Sequence, residues 1–249
     1  MADFTLPAYR DLLQALRTRG YEARSFPAAD PRQRHLVLRH DLDMSIEAAL
    51  PVAALEADLG MAATYFVLLR TEMYNPFSAA SRRDLLLLAD QAHAIGLHFD
   101  ASLYDQDWAA LEAGAAVECR VLEDILGRPV EIVSFHRPAE HLLGQDRPLA
   151  GRRHTYEPRF FRDMGYCSDS RGEWRFGRPL AHEAVAKGAA LQLATHPIWW
   201  VAGEGESVRA KLDRFALARF DLLRAELARN CVTYPQEFAA LAREPSRER

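Results

Sequence analysis

Side chains able to bind a metal or move a proton gather in five short segments of this chain. They are Arg39-His40-Asp41-Leu42-Asp43, His98-Phe99-Asp100, His136-Arg137-Pro138, Ser168-Asp169-Ser170-Arg171 and Thr195-His196-Pro197. Asp41 and Asp43 stand two apart, so on an extended segment their carboxylates project to the same side. One can then hold a cation while the other accepts a proton. Oxygen and imidazole donors suit zinc or another first-row divalent ion, and the lack of a thiolate cluster argues against a structural zinc site. Metal-assisted hydrolysis needs this combination: a Lewis acid that polarises a carbonyl and acidifies water, with a base beside it. His196 is available to protonate a leaving amine. Singly, each residue has an ordinary explanation. An acidic pair can open a loop and cap a helix, His98 can be a hydrogen-bonded core residue, and Trp199-Trp200 can be packing.

The elements around these segments give them a common place. An amphipathic stretch over 7–19, with Leu12, Leu13 and Leu16 at helical spacing and Gly20 as a stop, predicts a first helix. Leu36-Val37-Leu38 reads as a short strand, and Ser45 caps a helix that reaches Leu59-Gly60, with Pro51 marking a kink or its first turn. A second strand spans 63–69. Ser81, with Asp84 three residues on, opens a helix that ends at Ile95-Gly96. A third strand begins at Leu97, Asp107 caps a helix to Leu126-Gly127, and a fourth strand covers 130–135. Short strands follow near Tyr166-Cys167 and over 191–194, then a helix from Ser207 to Asn230. Val232-Thr233-Tyr234 suggests a late strand. Strands alternating with helices imply right-handed crossovers and a parallel sheet. Each polar segment follows a strand, so all five are expected on one rim, where barrel enzymes carry their chemistry. Gathering two carboxylates, three histidines and an arginine there is costly without partners, which favours a metal or a reaction over accident.

Composition sets the bounds. The 249 residues, nearly half of them apolar, suffice for one α/β barrel. The net charge of −4 leaves no basic footprint for nucleic acid or an anionic membrane. Cys119, Cys167 and Cys231 are far apart, so neither a disulfide framework nor a zinc knuckle is indicated. No apolar run approaches the length of a membrane span, and the first residues lack the pattern of a signal peptide, which makes a cytoplasmic location the expectation. Residues 138–165, rich in Arg, His, Gly and Pro, read as one long functional loop or insertion, and 244–249 as a disordered tail. No repeat or linker marks a second domain, so residues 1–249 are expected to form a single irregular (β/α) barrel.

Taken in order, these motifs resemble the five motifs of the polysaccharide deacetylases (carbohydrate esterase family four, the NodB-homology domain). The quoted set is Arg39-His40-Asp41-Leu42-Asp43, Gly96-Leu97-His98-Phe99-Asp100, Phe135-His136-Arg137-Pro138, Ser168-Asp169 with Trp174, and Leu193-Ala194-Thr195-His196. The Arg-His-Asp-x-Asp opening is similar to a bacterial subgroup that includes the WbmS-like proteins of surface-polysaccharide gene clusters. The resemblance spans about residues 35 to 200. It implies an α/β barrel of the polysaccharide-deacetylase type and a divalent metal ion, zinc foremost. By resemblance Asp41 is the catalytic base, Asp43 and His98 are ligands, Arg137 pairs with the base, His196 is the general acid and Asp169 orients it. The family's second motif carries another histidine four residues on, where this chain has Ser102. His136 is the expected replacement ligand and Asp100 the alternative, since strand alternation would turn His136 and Arg137 opposite ways unless the strand ends between them.

The activity so implied is removal of an acyl group, N-acetyl foremost, from a sugar or polysaccharide precursor. Two other readings stand beside it: a hydrolase of a non-sugar amide such as a ureide or cyclic imide, and a metal- or sugar-binding protein of the same fold without turnover. Trp174 and Trp199 are the expected substrate-binding aromatics, and the partner is a small molecule or glycan rather than nucleic acid or a membrane.

Overall fold

The computed structural model describes residues 4–201, 203, 205–231 and 234. The late strand expected at Val232-Thr233-Tyr234 and the tail expected over 244–249 lie outside, or all but outside, these residues. The chain forms two compact units, residues 1–204 and 205–249. The second contains α8 (Val208–Asn230), which Ser207 caps by accepting from the Ala210 N–H.

The first unit is built on a parallel sheet of eight strands among the described residues: β1 (Glu22–Ala23), β2 (His35–Leu42), β3 (Thr64–Leu68), β4 (Ala94–Phe99), β5 (Ile132–Phe135), β6 (Arg153–His154), β7 (Gly165–Ser168) and β8 (Leu191–Thr195). Their order is β6-β5-β4-β3-β2-β8-β7, with β1 on the first residues of β2. Every ladder pair is parallel. Helices α1 (Leu6–Thr18), α2 (Ala49–Asp58), α3 (Ala79–Asp90) and α4 (Trp108–Leu126) fill the early part of the chain, while α5 (Pro158–Phe161), α6 (Glu183–Lys187) and α7 (Pro197–Trp200) are short. The sheet curls into an irregular (β/α) half-barrel, and Phe26, Val37, Phe66, Ile132 and Phe160 belong to one buried cluster of its core.

β2 is longer than its apolar run. It continues through Arg39-His40-Asp41-Leu42, so these polar residues lie within a buried strand, not after it. Pro51 sits in the first turn of α2, where its missing N–H costs no helical bond. The cap of α3 is Ser78, whose Oγ accepts from the Ser81 N–H, three residues before the expected start. The helix also ends earlier than expected, at Asp90, with Ala92 taking the left-handed turn expected of Gly96. Gly96 lies in β4, because a Cβ there would stand 2.5 Å from the Phe66 ring. Residues 138–165 are not structureless: they hold a 3-10 turn (Glu140–Leu142), β6 and α5. Among the described residues no helix is long and apolar enough to cross a membrane.

The close approach at Gly96 gives a direct test. Gly96→Val must push Phe66 out of the core, so it should destabilise the fold by about 1–3 kcal/mol in urea denaturation; an unchanged midpoint would contradict the packing described.

Candidate metal and active site

Alternation along β2 sorts its polar residues. Arg39 and Asp41 share one face, and Asp43, just beyond the strand, continues it. Arg39 is fully buried and grips Asp41 with two parallel hydrogen bonds, Nε to Oδ1 and Nη2 to Oδ2, both 2.8 Å. Nη2 also contacts Ser134 Oγ on β5 and the Tyr156 hydroxyl, and Nη1 reaches Gln192 Oε1 on β8. His40, on the opposite face, bonds Glu56 of α2 at 2.7 Å through Nε2 and Thr195 of β8 at 2.7 Å through Nδ1. Tyr9 and Tyr65 also donate to the buried Glu56 carboxylate. One strand thus ties the site on its inner face to a helix on its outer face.

The five segments meet because all the strands are parallel and the sheet curls. β4 lies two strands from β2 and β5 three, which in a flat sheet is about 10 and 14 Å. Yet His98 Nε2 stands 3.1 Å from Asp43 Oδ1, and His136 Nδ1 stands 3.5 Å from the same oxygen. The two imidazole nitrogens are 3.3 Å apart. β5 ends at Phe135, and Arg137 takes a left-handed φ of 46°, so His136 and Arg137 both line the cleft despite being neighbours.

Asp43, His98 and His136 are the residues whose donor atoms converge. Two imidazole nitrogens aimed at one another and at a buried carboxylate oxygen call for a cation between them. Asp43 Oδ1 is buried with no hydrogen-bond partner, which is costly unless a ligand satisfies it. The spacings of 3.1, 3.3 and 3.5 Å compare with about 3.3–3.6 Å between donors arranged tetrahedrally at zinc-like bond lengths. The donor set therefore fits a divalent metal ion. Asp100 is turned elsewhere: its Oδ1 accepts from Ser102 N at 3.1 Å and Ser102 Oγ at 2.6 Å, capping a short turn.

His196 stands across the cleft. Its Nδ1 is 2.6 Å from Asp169 Oδ1, and its Nε2 lies 3.8 Å from Asp43 Oδ2. Asp169 is fully buried and also accepts from the His196 backbone N–H and from Trp200 Nε1. Burial alone would lower the His196 pKa, but the Asp169 carboxylate outweighs it, with help from Asp43 and Asp41, and lifts it to about 9. Burial likewise works to raise the Asp41 pKa, and Arg39 overrides it, holding the carboxyl below its ordinary range. Asp43 is held well below that range, against burial, by the imidazoles of His136 and His98 and the charge on His196.

Other expectations meet a different geometry. The arginine paired with Asp41 is Arg39, and Arg137 is exposed on the cleft wall with no ion pair to Asp41. The motif reading gave Arg39 no role, although an arginine two residues before an acid on a strand shares its face and is within reach. Trp199 lines the cleft, whereas Trp174 packs with Phe4 and Trp200 at ring separations of 5.5 and 5.9 Å, outside it. Trp200, read as packing, donates to Asp169. The cleft itself has a volume of about 690 Å³ and a mouth lined by Arg137, Arg171, Arg175 and Phe176.

No protein-family model matches the chain, and no curated protein sequence matches it. Among solved structures it is similar to a family 4 carbohydrate esterase from Bacillus anthracis, at 16% identity and a TM-score of 0.42 over 84% of each chain. It is also similar to the Streptococcus pyogenes deacetylase PplD in complex with acetate, at 14% identity and a TM-score of 0.43, over 82% of this chain and 84% of that one. A third is BA3943, a CE4 family pseudoenzyme from Bacillus anthracis, at 11% identity and a TM-score of 0.42, over 75% of this chain and 62% of that one.

The Arg39–Asp41 pair makes a quantitative prediction. Arg39→Leu leaves a buried carboxylate without its counter-charge and should cost about 3–5 kcal/mol of stability in urea denaturation. Adding Asp41→Asn to that variant should recover part of the loss. A loss below about 1 kcal/mol, or no recovery, would mean that the pair is not coupled as described.

Proposed function

We propose that this cleft hydrolyses an amide, as a metal-dependent deacylase that removes an N-acetyl or related acyl group from a sugar. The observation that carries the reading is the division of labour between two carboxylates on one face. Asp43 converges with two imidazoles, whereas Asp41 is withheld from them by a bidentate arginine. In this reading Asp43, His98 and His136 hold the divalent ion, zinc being the natural candidate for one carboxylate and two imidazoles. Such an ion supplies Lewis acidity toward the acyl oxygen and the attacking water.

The remaining steps belong to the chain. Asp41, kept ionised by Arg39, takes the proton of the attacking water while the water oxygen adds to the acyl carbon. His196, with Nδ1 fixed by Asp169, presents Nε2 to the cleft in its protonated form at neutral pH. As the C–N bond breaks, that proton passes to the departing nitrogen, leaving a carboxylic acid and an amine. Trp199 and Phe135 supply apolar wall beside the reacting atoms. A site built only to bind would have no use for a base held ionised on one side and an acid held protonated on the other.

Two substitutions separate holding the ion from the reaction. Asp41→Asn should retain zinc in a metal titration while turnover of acetylated amino sugars falls about 10²–10⁴-fold, the usual contribution of a general base. His136→Ala should weaken zinc binding in the same titration. Turnover by Asp41→Asn at the wild-type rate, or unchanged zinc affinity in His136→Ala, would refute the respective roles.

A further inference from the structure

The mouth of the cleft carries charge that this chemistry does not use. Arg137, Arg171 and Arg175 all line it. The only carboxylates among the lining residues, Asp41 and Asp43, are engaged by Arg39 and by the imidazoles. Arg175 has Glu173 at 3.0 Å. Arg137 and Arg171 are exposed and have no carboxylate partner among the described residues. The chain as a whole is acidic, with a net charge of −4, so this local excess of positive charge does not simply mirror its composition.

The backbone sets these arginines apart from ordinary solvated ones. Arg137 and Arg171 hold left-handed φ values of 46° and 63°, and Phe176 beside them one of 61°. The other non-glycine residues with positive φ among those described are Ala92 and Ala150, neither of which lines the cleft. A residue with a Cβ is strained in this left-handed region. Backbone strain of this kind collects where a ligand must be met. A guanidinium recognises an oxyanion through two parallel N–H bonds, which a lysine cannot reproduce.

We infer that the mouth is an oxyanion subsite: the molecule bearing the scissile amide also bears a phosphate or carboxylate group, which seats on Arg137 and Arg171. This rests on the amide-hydrolysis reading for the identity of the reacting group, and on the arginines alone for the anion. A neutral acylated glycan would leave both arginines without a partner. A sugar phosphate, a nucleotide-linked sugar or an acidic sugar would fill the cleft from the donor cluster to the rim.

The test is equilibrium binding by titration calorimetry on the full chain, both zinc-loaded and after chelator treatment, the latter so that no metal ion can hold the anion. The probes are N-acetylglucosamine, its 1-phosphate, its uridine diphosphate derivative and N-acetylneuraminate, which separate phosphate from carboxylate. At least one anionic probe should bind tenfold or more tightly than N-acetylglucosamine in both states. In the Arg137→Gly/Arg171→Gly variant that preference should shrink to threefold or less. Glycine accepts the left-handed backbone, so the variant should melt no lower than wild type and a lost preference will not reflect misfolding. No anionic preference, or one that survives in the variant, would overturn the subsite. The same probes assayed for amine release keep the two proposals apart. Anion preference without hydrolysis would sink the amide reading alone, and hydrolysis without anion preference would sink the subsite alone.

Discussion

A buried arginine bound to an acid two residues along its own strand is the interaction on which the site depends. Arg39 is buried, and burying its charge is tolerable only because Asp41 meets it in a bidentate pair while Ser134, Tyr156 and Gln192 offer further oxygens to its Nη atoms. The pair fixes the Asp41 carboxylate and keeps it charged. It also decides what Asp41 is not. With both oxygens committed to guanidinium, Asp41 stays 3.8 Å from His98, while Asp43 makes the closer approach. Two acids that look equivalent in the sequence are divided by one neighbour.

That division depends on β2 keeping its pairing and alternation through Arg39–Leu42. Strand alternation puts His40 on the outer face, where Glu56 and Thr195 anchor it, and Tyr74 accepts the Leu68 N–H and donates to the Leu42 carbonyl, clamping the ends of β2 and β3 together. Thr195 directly precedes His196, so the outer network also steadies the strand that carries the candidate acid. Curling of the sheet then brings residues from β2, β4 and β5 together across intervening strands. The absence of a Cβ at Gly96 lets the Phe66 ring pack there.

Much of this was legible from residue order. The parallel sheet and the shared rim follow from strands alternating with helices, and Asp107 and Gly127 bound α4 as their types predict. The set Asp43, His98 and His136 is expected from the donor types, with Asp100 as the alternative, but how His136 and Arg137 come to line one cleft is not. It turns on where β5 ends, and a left-handed arginine has no sequence signature. A charged residue after an apolar run reads as the end of a strand, whereas pairing with Asp41 lets β2 extend through Arg39. Gly96 reads as a helix stop because its true constraint, an aromatic ring on the neighbouring strand, is not local.

The proposed centre has Asp43, His98 and His136 on one divalent ion while Asp41 stays on Arg39. Anomalous diffraction from zinc-loaded crystals tests it most directly. A single strong peak is expected among those three donors, with the Arg39–Asp41 pair intact. A peak ligated by Asp41 or Asp100 in place of His136, or no peak in the cleft at saturating zinc, would contradict it.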